Sequence, residues 1–455
     1  MKNQSNTRLP SSFRDPSGYV FLKDSRIYRK INASYIPVFN HMQSTGIFSR
    51  LFDSGLLCPH SIIETSEDSI TIQPRKIPFI SYPYEWCFSQ LKDAAKCTLE
   101  LQKLALENEM SLKDASAYNI QFTGGKPVLI DSLSFERFSP GQPWIAYHQF
   151  CRHFLAPLAL MSYTDVNLHK LLMSYIDGIP LDLAVNILPF RAFLRPSIFL
   201  HLFLHSRFSL RYTGKIKPQS PKSFSRNSAL GLLDSLQSAI NGYRLRHVKS
   251  MWNGYYGSGT HSEEYLILKE KIVSDLLTFV KPDTVWDLGA NTGRFARVSA
   301  AHGFNTIAFD SDPLCVESLY RDLGSKMKSG VLPLVCDLTN PSPSLGFNNE
   351  ERDSLTERGP ADLVMALAII HHIAIGNNVP FNMISSYLAR LGKWLILEFV
   401  PKDDPQVKEM LAVRRDIFTE YTRECLLKKF SADFMIHKEI DVGSSGRAMF
   451  LMEKK

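Results

Sequence analysis

Asp287-Leu288-Gly289-Ala290-Asn291-Thr292-Gly293 (DLGANTG) follows the apolar run Thr284-Val285-Trp286 and precedes Arg294-Phe295-Ala296-Arg297-Val298. The pattern predicts a strand that ends in a glycine-containing loop and feeds a helix. Such loops hold nucleotide-like ligands at the helix N-terminus. A dinucleotide loop would carry a second glycine, through which the pyrophosphate approaches the backbone; here that position is Asn291. Asp287 at the strand end would repel a pyrophosphate and attract an ammonium group.

Outward from this loop the chain alternates between strand and helix patterns. Helices are predicted over Glu263–Phe279, Gly293–His302, Pro313–Lys328, Phe381–Leu391, Pro405–Val413 and near Thr422–Phe430, the first with Leu266, Ile267, Ile272, Leu276 and Leu277 at helical spacing. Strands are predicted over Thr284–Leu288, Thr306–Asp310, Val331–Cys336, Ala361–Leu367 and Trp394–Phe399. Met435–Val442 and Arg447–Glu453 flank Gly443-Ser444-Ser445-Gly446 and read as a hairpin. The implied class is α/β: a Rossmann-like, mostly parallel sheet with helices on both faces and a C-terminal antiparallel hairpin.

Three successive strand ends carry an aspartate: Asp287, Asp310 and Asp337. In an open parallel sheet these would share the carboxyl edge, where ligands bind. Asp310 suits ribose hydroxyls, and Asp337 suits an adenine amino group. With these residues in place, the last 200 or so positions, from near Trp252, resemble the class I S-adenosylmethionine-dependent methyltransferases. The resemblance implies S-adenosylmethionine as cofactor, bound by Asp287, Gly289, Ala290, Asn291, Thr292, Gly293, Asp310, Asp337 and Leu367. Ala366-Leu367-Ala368-Ile369-Ile370-His371-His372-Ile373 then occupies the family's substrate-facing position. The Asn/Asp-Pro-Pro-aromatic sequence usual in enzymes that methylate nucleic-acid amines is not there, and His371-His372 looks more like small-molecule methyltransferases. Either histidine titrates near neutrality and is a candidate base for an acceptor hydroxyl. Asn340–Phe347 together with His371-His372 resembles bacterial nodulation-related methyltransferases. Glu398 ends the fifth strand as a candidate substrate contact, Asp404 reads as a helix N-cap before Pro405, and Trp252–Gly259 is a candidate lid.

Upstream, residues 1–190 read as an α+β domain. In residues 111–136, Asp114 and Asn119 stand five apart, and Asp131 follows twelve later, after a Gly-Gly turn and an apolar strand. This spacing resembles the catalytic and metal loops of the protein-kinase and aminoglycoside-kinase superfamily, whose chemistry needs a carboxylate near the acceptor hydroxyl and an Asn/Asp pair on metal. The helix Phe88–Leu106 and the hairpin Gly18–Leu22/Arg26–Ile31, with Lys30 as the phosphate-binding candidate, fit the same pattern. Leu112 in place of the family's histidine, Asp131-Ser132-Leu133 in place of Asp-Phe-Gly, and no acid from Ile31 to Phe52 imply a degenerate, kinase-like scaffold.

Residues 191–250 read as a basic helical connector before the methyltransferase-like residues 251–455. Between Arg191 and Lys249 there are eleven Lys/Arg and one acid, Asp234. A nucleic acid, an anionic lipid surface or an acidic substrate would fit such a stretch; a solvated connector is the plainer reading, with Phe199 and Phe203 at helix-packing spacing. The seven cysteines lack CxxC pairs, so no metal site or disulfide framework is expected. The N-terminus lacks a signal-peptide apolar core, and Ile187–Leu204 is interrupted by Pro189, Arg191, Arg195 and Pro196, so no transmembrane segment and a cytoplasmic location are expected. The sequence expectation is thus a methyltransferase for a small-molecule or glycan-like acceptor. Its alternatives are a bifunctional kinase–methyltransferase and a nucleic-acid methyltransferase using the basic stretch.

Overall fold

A computed structural model of the chain describes residues 7–207, 225–245, 263–324 and 330–455. The chain forms two compact units, residues 1–248 with 344–352, and residues 249–343 with 353–455. Trp252–Gly259 and part of the basic stretch lie outside the described residues.

In the first unit a five-stranded antiparallel sheet runs β1-β2-β3-β5-β4, formed by β1 (Thr7–Arg8), β2 (Gly18–Lys23), β3 (Arg26–Asn32), β4 (His60–Thr65) and β5 (Ser69–Pro74). Asp24 and Ser25 both have positive φ and form the two-residue turn that joins β2 to β3. Gly18 is required by packing: a Cβ there would overlap the Lys30 carbonyl oxygen. Helix Phe88–Glu107 follows. Two short antiparallel pairs come next, the hairpin of β7 (Ile120–Thr123) with β8 (Lys126–Leu129) around Gly124-Gly125, and β6 (Met110–Leu112) with β9 (Phe135–Arg137), which brackets it in the chain.

The described parts of residues 191–250 are helical, but they pack into the first unit instead of forming a free connector. Helix Arg226–Gly242 buries Leu233, Leu236 and Ile240, which share one face by their spacing. Lys92 Nζ donates to the carbonyls of Asn241 and Tyr243, fixing the end of that helix. The apolar stripe outweighs the basic composition because only one face of a helix needs burial.

The second unit is built on a seven-stranded sheet in the order β12-β11-β10-β13-β14-β16-β15. Its strands are β10 (Thr284–Leu288), β11 (Asn305–Asp310), β12 (Val331–Val335), β13 (Ala361–Ala366), β14 (Gly392–Phe399), β15 (Phe434–Asp441) and β16 (Ala448–Lys454). The first five pair in parallel, while β16 pairs antiparallel with both β14 and β15. This is the Rossmann-like sheet and closing hairpin expected from the sequence. The strands read as continuous apolar runs because helices cover both faces. Helix Glu263–Val280 packs Ile272, Val273, Leu276 and Leu277 on one face, against Val285, Leu363 and Ile396. Leu319 and Leu323 join a second cluster with Ala308 and Val331. The chain moves outward from β10 to β12, then crosses back to β13 on the other side of β10. That reversal opens a crevice beyond the carboxyl ends of β10 and β13.

Candidate functional site

The crevice is a pocket of about 220 Å³ at those strand ends. Asp287, Gly289, Ala290, Asn291, Asp310, Leu367 and His372 line it, so the structure brings most of the sequence-predicted residues together. The loop between β10 and helix Arg294–Ala301 is held by its own backbone. The Gly289 and Ala290 amides donate to the Phe309 carbonyl at 2.8 and 2.9 Å. Gly289, Asn291 and Gly293 all have positive φ, which favours glycine and tolerates asparagine. The glycines are also set by packing. A Cβ on Gly289 would stand 2.7 Å from Ile369 Cδ1, and one on Gly293 would stand 2.5 Å from Leu319 Cδ1. Thr292 and Gly293 shape the loop without lining the pocket.

Asp287 is 2% exposed, and its Oδ2 has no hydrogen-bond partner. Burial pushes its carboxyl up to about 7, with Lys269 acting in the opposite direction. Asp310 is better satisfied: it accepts from the Asn291 amide at 2.7 Å and the Asp312 amide at 2.9 Å. Burial still raises it to about 6. Asp337 does not join them. It follows β12 and does not line the pocket, and its Oδ1 accepts from the amide and hydroxyl of Thr339. That contact closes an Asx turn.

The two histidines divide. His372 lines the pocket, whereas His371 is fully buried with both ring nitrogens unpartnered. Their rings lie 4.1 Å apart. Burial, followed by His372, Arg447 and Lys269, holds His371 well below its usual range, so it is neutral. Burial also lowers His372. Ala368, between Leu367 and the histidines, has positive φ and lines the pocket. A non-glycine residue there is strained backbone at a candidate site.

Sequence reasoning missed Tyr265, Lys269, Phe295 and Arg447, which also line the pocket. Lys269 is buried on the inner face of helix Glu263–Val280, while Ile267, expected inside, is 56% exposed. The signal was available, since Lys269 stands three residues from both Leu266 and Ile272. Lys269 Nζ meets Glu398 Oε2 at 2.5 Å. Arg447 reaches Glu398 Oε1 at 3.3 Å and Asp404 Oδ2 at 2.8 Å. Burial alone would raise Glu398, but Lys269 and Arg447 hold it below its ordinary value. Glu398 is therefore a buried counter-ion beneath the pocket and not a substrate contact. Asp404 is the expected N-cap, accepting from the Gln406 amide at 3.0 Å.

In the first unit Asp114, Asn119 and Asp131 come close together: Asp131 and Asn119 both act on the ionisation of Asp114, which burial raises. Asp131 is committed elsewhere. Its Oδ1 accepts from Arg29 and the Leu133 amide, and its Oδ2 accepts from the Ser134 hydroxyl. Successive strand residues face opposite ways, so Arg29 rather than Lys30 meets Asp131. Its carboxylate is taken by protein donors, which does not fit a metal-holding role. Among the described residues no group of three or more His, Cys, Asp or Glu is placed to hold a metal ion. No helix among them is long and apolar enough to cross a membrane.

No family model matches the chain. It is 34% identical to nodulation protein NoeA of Rhizobium meliloti (strain 1021) over 460 residues, covering 98% of this chain and 96% of that one. Among solved structures, magnesium protoporphyrin IX methyltransferase (ChlM) from Synechocystis PCC 6803 with bound SAH is 17% identical, covering 45% of this chain and 93% of that one, with a TM-score of 0.33. The bifunctional kinase-methyltransferase WbdD is 19% identical, covering 44% of this chain and 41% of that one, with a TM-score of 0.30. With a relative this similar over nearly its whole length, the chain belongs to the family of nodulation protein NoeA.

Proposed function

We propose that the second unit binds S-adenosylmethionine and transfers its methyl group to an oxygen or nitrogen of a small-molecule or glycan-like acceptor. One observation carries the reading: the buried, unpartnered Oδ2 of Asp287 faces the same pocket as Gly289, Asn291 and Asp310. A buried acceptor without a donor costs free energy, and a ligand ammonium supplies the missing partner. In this reading Asp287 holds the ammonium, residues 289–293 wrap the methionine part, Asp310 accepts from the ribose hydroxyls, and Leu367 packs beside the base. Asp337 is left out of the set because it does not line the pocket.

Bound S-adenosylmethionine supplies an electrophilic sulfonium methyl. The chain's own part is positioning and one proton. His372 lines the pocket and is neutral because of its burial, so its ring can take a proton from the acceptor. His371, packed against it, orients that ring. A second activity in the first unit is not favoured, since Arg29, Leu133 and Ser134 occupy the Asp131 carboxylate. Calorimetry with S-adenosylhomocysteine tests the proposal: the wild type binds, and Asp287→Ala abolishes binding. Unchanged affinity in that variant removes the basis of the assignment. Once an acceptor is found, His372→Ala should lower turnover by about 10²-fold or more with cofactor affinity retained.

A further inference from the structure

Helical residues 196–207 of the first unit are apolar on both sides. Inward, Ile198 and Leu202 are buried, and His201 bonds Tyr147 and Ser235. Outward, Phe199 and Leu200 are exposed, 50% for the latter, and Phe199 stacks on Phe203 with ring centroids 5.3 Å apart. The spacing of these aromatics suits helix packing, yet the structure turns Phe199 to the solvent side. In the preceding turn Phe190 is 82% exposed and Leu194 74%. A helix that buries one apolar side and still exposes large apolar side chains on the other leaves surface that a partner or lipid can cover. At twelve residues it is about 18 Å long, too short for the ~30 Å hydrocarbon layer, so it can lie on a bilayer but not span one.

The charged side chains of residues 190–207 are all basic. Arg191 and Arg207 are exposed, and the Arg207 guanidinium lies 5.3 Å from the centre of the Phe203 ring; Arg195, also exposed, donates to the Gly242 carbonyl at 2.9 Å. Apolar side chains that enter the acyl boundary beside arginines that reach the headgroups are the combination an anionic membrane surface selects. A nucleic acid would use the arginines but gain nothing from the exposed Leu194 and Leu200. We propose that this face docks the protein on an anionic lipid surface.

Flotation of the full-length chain with vesicles tests it, using phosphatidylcholine alone and phosphatidylcholine mixed with phosphatidylglycerol. The expected result is binding to the mixed vesicles, weakened by salt, and about tenfold or more weaker in Phe199→Ser/Leu200→Ser. Both positions are exposed, and circular dichroism and thermal melting of the variant confirm that the fold is kept. Three results each overturn the proposal: no binding of the wild type to phosphatidylglycerol vesicles at low salt; binding untouched by the double variant; or a wild-type dimer in sedimentation that the double variant abolishes, which makes the face a contact between copies of the chain.

Discussion

Replacing Asp287 by asparagine should make the second unit more stable and disable its pocket at once. Burial moves this carboxyl from an ordinary 3.8 up to about 7. Each pH unit is worth ~1.4 kcal/mol, so keeping the group ionised above neutrality costs on the order of 4 kcal/mol. The folded-state value is the raised one. The carboxyl's contribution to stability is therefore complete below about pH 4 and is lost as pH rises through about 7. Asparagine carries no charge, and its oxygen can still accept from the Ala296 amide that Asp287 uses. Asp287→Asn should raise the melting temperature at about pH 8 and leave it nearly unchanged at about pH 4.

Ligand binding runs the other way. An ammonium needs the ionised carboxylate, whose fraction in the free protein rises from about a tenth at about pH 6 to about nine-tenths at about pH 8. Affinity for S-adenosylhomocysteine should tighten about tenfold over that range, ~1.4 kcal/mol, with net proton release. Asp310, raised to about 6, adds its own dependence mainly at the acidic end. Isothermal titration in two buffers of different ionisation enthalpy counts the protons, and scanning fluorimetry gives the melting temperatures. Wild-type affinity that is flat across this range, or a variant that binds as tightly as the wild type, refutes the reasoning.

Gly289→Ala should abolish cofactor binding without unfolding the unit, because the new methyl would meet Ile369 Cδ1 at 2.7 Å beside the pocket in a left-handed backbone; calorimetry against circular dichroism separates the two effects. Lys269→Met leaves Glu398 with Arg447 and Tyr265 as polar partners among the described residues, and breaking a buried pair costs about 3–5 kcal/mol, readable as a lower urea midpoint. The full chain should show no magnesium-dependent ATP binding, since the Asp131 oxygens are taken by Arg29, Leu133 and Ser134; fluorescence titration showing such binding would make the first unit a working nucleotide site.

Local sequence pattern specifies the second unit almost element by element. Strand Thr284–Leu288 and helix Phe381–Leu391 fall where the apolar periodicity puts them, because a parallel sheet sandwiched by helices makes every strand a short apolar run. It also located the glycine loop, Asp310 and His372, since strand-end residues inherit their place from the strand. Which side of an element faces inward, and what meets it there, is settled by packing between elements. Lys269 took the inner position that Ile267 was expected to hold, and Glu398 turned under the pocket to meet Lys269 and Arg447, residues 129 and 49 positions away in the chain. Arg29, not Lys30, faced Asp131 because a strand alternates its sides and the sheet chose one. Asp337, third in a row of identical strand-end acids, stays off the pocket, its Oδ1 bonded within its own turn. Periodicity fixes elements from local spacing, whereas a buried charge is placed by partners that local spacing does not contain.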